Sequence, residues 1–202
     1  MWVKVCGCRT PAGVDAAVGA GADAVGLILV ESRRRVTLET AKALAKRIPS
    51  SVAIVGVVRS PSPGQLREIL EAVPFDMLQL SGTMPRGSAR AIPFLRTVYL
   101  GAEDRLPSGR LPRAYALHLD RRSGQSHGGT GERVNTRAAL RIAQTGRRVV
   151  LAGGLTPDNV LQAIEEAAPY GVDVASGVEV GGQQDAQAIF RFVRAAKGVN
   201  AQ

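Results

Sequence analysis

At 202 residues and 21.2 kDa, with 45% hydrophobic residues, the chain is predicted to form one domain over residues 1–202 with a sizeable buried core. A formal net charge of +9 attracts anions in general, but the basic residues are scattered and not interleaved with aromatic side chains, which disfavours nucleic acid as a partner. No apolar stretch reaches the roughly 18 residues of a membrane span or follows a basic start as in a signal peptide, so we expect a soluble cytoplasmic protein without membrane contact.

The first half of the chain alternates short apolar strands with helical segments. Strands are predicted at residues 3–6, 24–29 and 53–58, and helices at residues 11–20, 37–48 and 63–73. The second strand is almost continuously apolar, as a strand buried on both faces requires. The third helix carries a single apolar stripe formed by Leu66, Ile69, Leu70 and Val73. This half therefore predicts three pairs of a strand and a helix.

The second half continues the alternation, with one irregular region. Strands are predicted at residues 75–80, 95–100, 115–119, 149–152 and 172–175, and helices at residues 136–145, between the last two strands, and at residues 185–196. Around strands 4 to 6 the helical pattern is degraded, because proline interrupts the segment after strand 4 and residues 101–113 are polar and contain Gly and Pro. Eight predicted strands thus alternate with six to eight helices.

Strands that alternate with helices predict a parallel sheet. Eight such units in a short chain favour an α/β fold, specifically a single-domain (β/α)8 TIM barrel. An open doubly wound sheet is the alternative. It is disfavoured because no G-x-G-x-x-G motif follows the first strand, where Gly7 and Gly13 are isolated.

Two turns in the last third of the chain are predicted to bind an anion. Gly153-Gly154 follows the seventh strand and Ser176-Gly177 follows the eighth, and these residues have little or no side chain. Their backbone N–H groups can therefore approach a ligand closely, beside a helix start with its positive dipole end. The loops after strands 7 and 8 of such a barrel commonly hold a phosphate. A phosphorylated small molecule is the predicted partner, and a sugar-phosphate enzyme is the first hypothesis.

Short motifs extend along nearly the whole chain. They are VKVCG at residues 3–7, GADAVGL at 21–27, SRRRV at 32–36, VGVV at 55–58, LQLSG at 78–82, LHLD at 117–120, GGTG at 128–131, LAGGLTPDNV at 151–160 and GVDVASGVE at 171–179. Their order and spacing resemble the phosphoribosylanthranilate isomerase family, which performs an Amadori rearrangement in tryptophan biosynthesis. Members of that family are (β/α)8 barrels that hold phosphate after strands 7 and 8, in agreement with the glycine pattern.

The resemblance implies roles for individual residues. Cys6 takes the position of the family's general base, Asp120 that of its general acid, and Arg34 that of the arginine that pairs with the anthranilate carboxylate. No metal or organic cofactor is implied, and two cysteines without a second pair make a poor zinc site. The remaining substrate-binding positions are Gly129, Asp173 and the phosphate-side residues Gly153, Gly154, Ser176 and Gly177.

The implied chemistry makes demands on both catalytic positions. Opening the ribose ring needs a proton on the ring oxygen, which Asp120 could give if burial raises its pKa. Cys6 would then remove the C2′ proton as a thiolate, and Lys4, on the same strand face, is expected to favour that form. Plainer interpretations stay open, since a strand-end Cys is often a small buried hydrophobe and a strand-end Asp often caps a turn.

Several residues near the predicted site depart from the family pattern. Ser81 replaces a usual His, Arg33 a usual Pro, Arg35 a usual aromatic residue, and His118 a usual Leu. His118 faces the same way as Asp120 and is either functional or a hydrogen-bonded interior residue. These departures leave two alternatives to the isomerase, namely a paralogue that isomerises another N-ribosyl or sugar phosphate and a noncatalytic phosphate-binding barrel. Which of the three arginines at 33–35 reaches the ligand, and the oligomeric state, stay open.

Overall fold

A computed structural model describes residues 1–85, 92–100, 114–121 and 135–198. Eight parallel strands form a closed barrel in chain order, because β1 pairs with both β2 and β8. This closure confirms the (β/α)8 barrel and excludes the doubly wound alternative. The strands are β1 (Trp2–Cys6), β2 (Ala24–Ile28), β3 (Ala53–Arg59), β4 (Met77–Ser81), β5 (Phe94–Leu100), β6 (Ala116–Arg121), β7 (Val149–Leu151) and β8 (Gly171–Val174).

Helices of eight to eleven residues cover the outside of the barrel. Short polar side chains cap most of their amino ends; Ser62, for example, forms a reciprocal capping box with Gln65 at the start of the third helix. Within the described ranges, none of the helices has the length and apolar character needed to cross a lipid bilayer. The helices are α1 (Pro11–Gly19), α2 (Leu38–Ala45), α3 (Pro63–Ala72), α4 (Thr136–Ala143), α5 (Val160–Ala167) and α6 (Ala186–Ala196).

The connection from β8 to α6 contains structure that the sequence analysis did not predict. A 3-10 turn at Ser176–Val178 leads into a two-stranded antiparallel hairpin, β9 (Glu179–Val180) and β10 (Gln183–Gln184). Gly181 and Gly182 at its tip both have positive φ, 58° and 76°, which a tight hairpin turn of this kind requires. The hairpin lies at the carboxyl end of β8, on the side of the barrel where the strands end.

The predicted irregular region falls largely outside the described residues. A short helical stretch interrupted by proline is expected after β4, and residues 82–85 form no helix. Residues 86–91 and 101–113, together with the GGTG segment, lie outside the described ranges. The remaining predicted elements are confirmed, with ends that shift by at most three residues.

The interior of the barrel is arranged in levels, because every second residue of each strand points inward. The lowest level is an apolar plug at the amino ends of the strands, made of Ala24, Val55, Met77, Leu95, Ala116 and Val150. Two residues further along each strand lies a polar level that contains Lys4, Gln79, Thr97, His118 and Asp173. An upper level, which contains Cys6, Ser81, Tyr99 and Asp120, follows at the carboxyl ends. The plug closes one end of the barrel and leaves the other available for a ligand.

Candidate active site

A cavity of about 650 Å³ occupies the carboxyl end of the barrel. The structure brings eight of the nine predicted site residues together around it: Cys6, Arg34, Asp120, Gly153, Gly154, Asp173, Ser176 and Gly177. Gly129, the ninth, lies outside the described residues. Residues from the first, sixth, seventh and eighth strands therefore meet at one place, as in other barrels of this type.

A buried hydrogen-bond network forms the floor of the cavity. The Lys4 ammonium donates to both carboxylate oxygens of Asp173 at 2.9 Å, and His118 Nε2 lies 2.8 Å from Asp173 Oδ2. His118 Nδ1 in turn lies 3.5 Å from Thr97 Oγ1. Burial opposes the charge of Asp173, but Lys4 and His118 together hold the pKa of this carboxyl below its ordinary value. His118, which the sequence left open, is thus a hydrogen-bonded interior residue in contact with a predicted site residue.

Cys6 ends β1 and is 5% exposed. A Cβ atom placed on Gly26 would lie 2.7 Å from Cys6 Sγ and 3.0 Å from Lys4 Nζ, so the thiol and the ammonium converge over this glycine. Burial raises the pKa of the Cys6 thiol, although Lys4 acts to lower it. Lys4 is the neighbouring cation that the sequence predicts, but it lowers the Cys6 pKa by less than burial raises it. Cys6 is therefore mostly a thiol, and not a thiolate, in the ligand-free protein.

Asp120 lies near the end of β6, and its Oδ1 accepts a 2.8 Å hydrogen bond from the Arg121 N–H. Burial raises the pKa of this carboxyl, while His118 and the backbone hydrogen bond act to lower it. Gly153, with φ 91°, passes so close that a Cβ there would lie 2.9 Å from Asp120 Oδ1. The raised pKa is the property that a carboxylic acid needs in order to donate a proton.

Arg34 is held at the other side of the cavity by a carboxylate that the sequence analysis did not single out. Its Nε and Nη2 donate to Glu179 Oε1 and Oε2 at 2.5 and 2.8 Å, and Arg33 Nη2 donates to Oε2 at 2.7 Å. The Arg34 residue is 6% exposed, whereas the Arg33 side chain is 59% exposed. Arg34 and Arg35 line the cavity, and the two arginines on Glu179 leave one net positive charge. Gly7, with φ 77°, makes room, since its Cβ would lie 2.6 Å from Arg34 Cδ.

The cavity has two chemically different ends. Beside Arg34 and Arg35 it is walled by apolar side chains of the second and third strand and helix units: Ile28, Leu29, Val30, Val36, Leu38 and Val57. At the other end it is bounded by small residues after β7 and β8. There Gly154 has φ 67°, and a Cβ on Gly177 would lie 1.8 Å from the Leu155 carbonyl oxygen, so only glycine fits. Cys6 and Asp120 line the same cavity and belong to its upper level.

The shape and chemistry of this cavity fit an aromatic carboxylate at one end and a phosphate at the other. The family described as N-(5'phosphoribosyl)anthranilate (PRA) isomerase matches residues 3–195 of the chain. The chain belongs to this family. The match to the phosphoribosylanthranilate isomerase family thus extends from β1 to α6.

Individual members of the phosphoribosylanthranilate isomerase family are similar to this chain over nearly their full length. The N-(5'-phosphoribosyl)anthranilate isomerase of Listeria monocytogenes serotype 4b is 38% identical over 202 residues, covering 98% of this chain and 100% of the relative. That of Symbiobacterium thermophilum is 39% identical, with 98% and 99% coverage. The crystal structure of the Thermus thermophilus enzyme superimposes with a TM-score of 0.86 at 31% identity, covering 99% of this chain and all of the other.

A further solved structure bears on ligands of the family. A phosphoribosylanthranilate isomerase in complex with reduced 1-(o-carboxyphenylamino)-1-deoxyribulose 5-phosphate matches with a TM-score of 0.80 at 27% identity, covering 98% of this chain and 100% of the other. That protein therefore binds a phosphorylated analogue with a carboxyphenyl group.

Proposed function

We propose that this chain isomerises N-(5'-phosphoribosyl)anthranilate to 1-(2-carboxyphenylamino)-1-deoxyribulose 5-phosphate. The observation that carries the proposal is a cavity in which Cys6 and Asp120 accompany a glycine-lined end and an end with a buried arginine. The glycine-lined end after β7 and β8 suits the 5′-phosphate. Arg34 and the apolar walls suit the anthranilate carboxylate and ring, because a guanidinium pairs well with a carboxylate.

The first chemical step opens the ribose ring. Protonated Asp120 gives its proton to the ring oxygen as the C1′–O bond breaks, and the anthranilate nitrogen supplies the electron pair that forms the C=N bond. The raised pKa of Asp120 increases the fraction of carboxylic acid available for this step.

The second step moves the double bond. Cys6 as thiolate takes the C2′ proton, which the adjacent iminium has acidified, and the released electron pair forms the C1′–C2′ double bond while the nitrogen regains its lone pair. The enaminol then loses its 2′-hydroxyl proton and gains a proton at C1′ to give the ketose. Electrons are only rearranged within the substrate, so the reaction requires no redox partner.

The test measures the loss of fluorescence of freshly formed N-(5'-phosphoribosyl)anthranilate after purified protein is added. We expect turnover by the wild-type protein and its loss in Cys6→Ala and Asp120→Asn, each by at least about 100-fold because each removes one proton-transfer group. Cys8→Ala is the matched control. Cys8 is buried, its pKa is raised to about 12, and it does not line the cavity, so this variant should stay active.

Two results would contradict the proposal. Turnover that persists in both Cys6→Ala and Asp120→Asn would remove their assigned roles. A folded wild-type protein that leaves this substrate unchanged but converts another phosphoribosylamine would establish the paralogue, with its altered pocket around Arg33, Arg35, Ser81 and His118.

A further inference from the structure

One buried polar group in the barrel interior is left without a partner. Across the described residues, Gln79 Oε1 is the one buried side-chain nitrogen or oxygen atom that makes no hydrogen bond. Gln79 is 8% exposed, and it lines the cavity. A buried carbonyl oxygen that stays unpaired costs free energy, so its presence needs an explanation.

The position of Gln79 shows where its partner must come from. It lies on β4 two residues after Met77 of the apolar plug, and its neighbours in register, Val57 and Leu95, offer no polar side-chain atoms. The other members of the polar level are paired with one another, from Lys4 through Asp173 and His118 to Thr97. Because none of the described residues supplies a donor, we look for a partner that enters through the cavity.

We propose that the Gln79 carboxamide accepts a hydrogen bond from a hydroxyl of the ribose, or of the open-chain sugar that replaces it, and so positions the sugar beside Cys6 and Asp120. This inference rests on the proposed function and adds a substrate-binding residue to it. With the phosphate after β7 and β8 and the aromatic ring beside Arg34, the sugar carbons lie between the two ends and above the polar level. A hydroxyl both donates and accepts, so it can satisfy the carboxamide in either orientation.

The Gln79 carbonyl oxygen finds no partner among the described residues, and a substrate hydroxyl would supply one. A Leu or Met at position 79 would remove the unsatisfied oxygen, so stability alone does not favour Gln there. Conflicts of this kind, where a local rule is broken without gain to the fold, concentrate at functional sites. A site built to hydrogen-bond a hydroxyl also discriminates strongly against compounds that lack one.

The experiment compares Gln79→Met with the wild-type protein. Met has a similar length and no hydrogen-bonding carbonyl, so we expect the ligand-free Tm of Q79M to equal or exceed that of the wild type, while kcat/KM falls about 10-fold to 100-fold. A group that only supports the fold would give the opposite pattern, a lower Tm with activity retained. Met77→Leu, on the same strand and in the apolar plug, is the matched control and should keep wild-type kcat/KM.

Binding measurements locate the lost contact. The Kd of reduced 1-(o-carboxyphenylamino)-1-deoxyribulose 5-phosphate should rise in Q79M by about the same 10-fold to 100-fold. Inorganic phosphate, which has no sugar hydroxyl, should bind both proteins equally. An unchanged Kd for the reduced product would overturn the inference and leave water as the partner of Gln79.

The two proposals fail in different ways. Absence of turnover by the wild-type protein would contradict both the proposed function and the role of Gln79. Turnover by the wild type together with equal turnover by Q79M would contradict the role of Gln79 alone.

Discussion

Cys6 and Asp120 both have pKa values raised by burial, although the proposed mechanism needs Cys6 as a base and Asp120 as an acid. The raised pKa of Asp120 favours the protonated form that donates. The raised pKa of Cys6, from an ordinary value near 9.0, disfavours the thiolate that accepts. The active form, with protonated Asp120 and ionised Cys6, is therefore a minority species when the pKa of Asp120 lies below that of Cys6.

This combination predicts a distinctive dependence of kcat/KM on pH. Between the two pKa values, raising the pH adds thiolate and removes carboxylic acid in equal proportion, so kcat/KM should be flat across neutral pH. Below the Asp120 pKa it should fall about tenfold per pH unit, because thiolate is lost without any gain in acid. Above the Cys6 pKa it should fall again, because only acid is lost.

Initial rates measured from about pH 4 to 10 check this profile. Cys6→Ser is the informative variant. A serine hydroxyl does not ionise in this range, so the alkaline fall should disappear and the remaining rate should be far lower. A wild-type kcat/KM that climbs tenfold per unit through pH 7 to 9 would show that Asp120 keeps its proton there and would contradict the flat region predicted across neutral pH.

At the scale of elements, the β9–β10 hairpin connects three parts of the site. Glu179 at its start binds Arg34, and Gln184 at its end donates to the Cys6 carbonyl oxygen at 3.4 Å. Arg9, from the loop after β1, donates to the Gly182 carbonyl oxygen at the tip at 2.9 Å. The hairpin after β8 thus fixes the loops after β1 and β2 relative to each other. With them it fixes Cys6, the proposed base, and Arg34, the arginine proposed to bind the substrate carboxylate.

Glu179→Gln tests this positioning role. The amide keeps the length but loses the charge that orients both arginines, so Arg34 should no longer be held in one geometry. We expect KM to rise about tenfold while kcat changes little, because the proton-transfer groups are untouched. Steady-state kinetics of the purified variant measure both values.

Arg33→Ala is the matched control for Glu179→Gln. Arg33→Ala removes the mostly exposed partner of Glu179 and keeps Arg34, the buried partner. Ion pairs with an exposed partner contribute little to stability, about 0 to 1 kcal/mol. KM should therefore stay near the wild-type value. Glu179→Gln adds one net positive charge and Arg33→Ala removes one. A lower KM in E179Q together with a higher KM in R33A would therefore show that net charge, and not the orientation of Arg34, governs binding.

The hairpin also shows which parts of the molecule were predictable. Strands and glycine turns follow local patterns, namely continuous apolar runs and residues without a side chain. The local pattern places Cys6 and Asp120 at strand ends, but only the family resemblance implies their roles. The pairing of Arg34 with Glu179 joins residues 145 positions apart, and no local pattern encodes it. The unpaired state of Gln79 likewise depends on its neighbours on β3 and β5, which only the closed barrel brings beside it.

At the scale of the whole molecule, a barrel with a polar level above an apolar plug must stabilise buried charges. Lys4 is fully buried, and Asp173 is its counter-ion. Removing one partner of such a pair leaves an uncompensated buried charge, at a cost of about 3 to 5 kcal/mol. The pair therefore couples the stability of the fold to the geometry of the active site.

Asp173→Asn should accordingly lower Tm by about 10 °C, measured by thermal unfolding at neutral pH. The pKa of Asp173 is depressed in the folded state, so its stabilising contribution is present above its unfolded pKa and is lost as the pH falls through the folded value. The difference in unfolding free energy between the wild type and D173N should thus be greatest above about pH 4 and shrink below it.

The double variant Lys4→Met with Asp173→Leu separates the fold from the function. It removes both charges together, so most of the lost Tm should return, because a buried ion pair replaced by apolar residues is often neutral for stability. Turnover should stay below that of the wild type in both variants, since each removes the carboxylate that pairs with His118 and that we assign to substrate binding. A double variant less stable than D173N would show that the pair supports the barrel through packing that Met and Leu cannot supply. For the single variant, a difference in unfolding free energy between the wild type and D173N that stays constant at all pH values would exclude the charge of Asp173 as the cause of the lost stability.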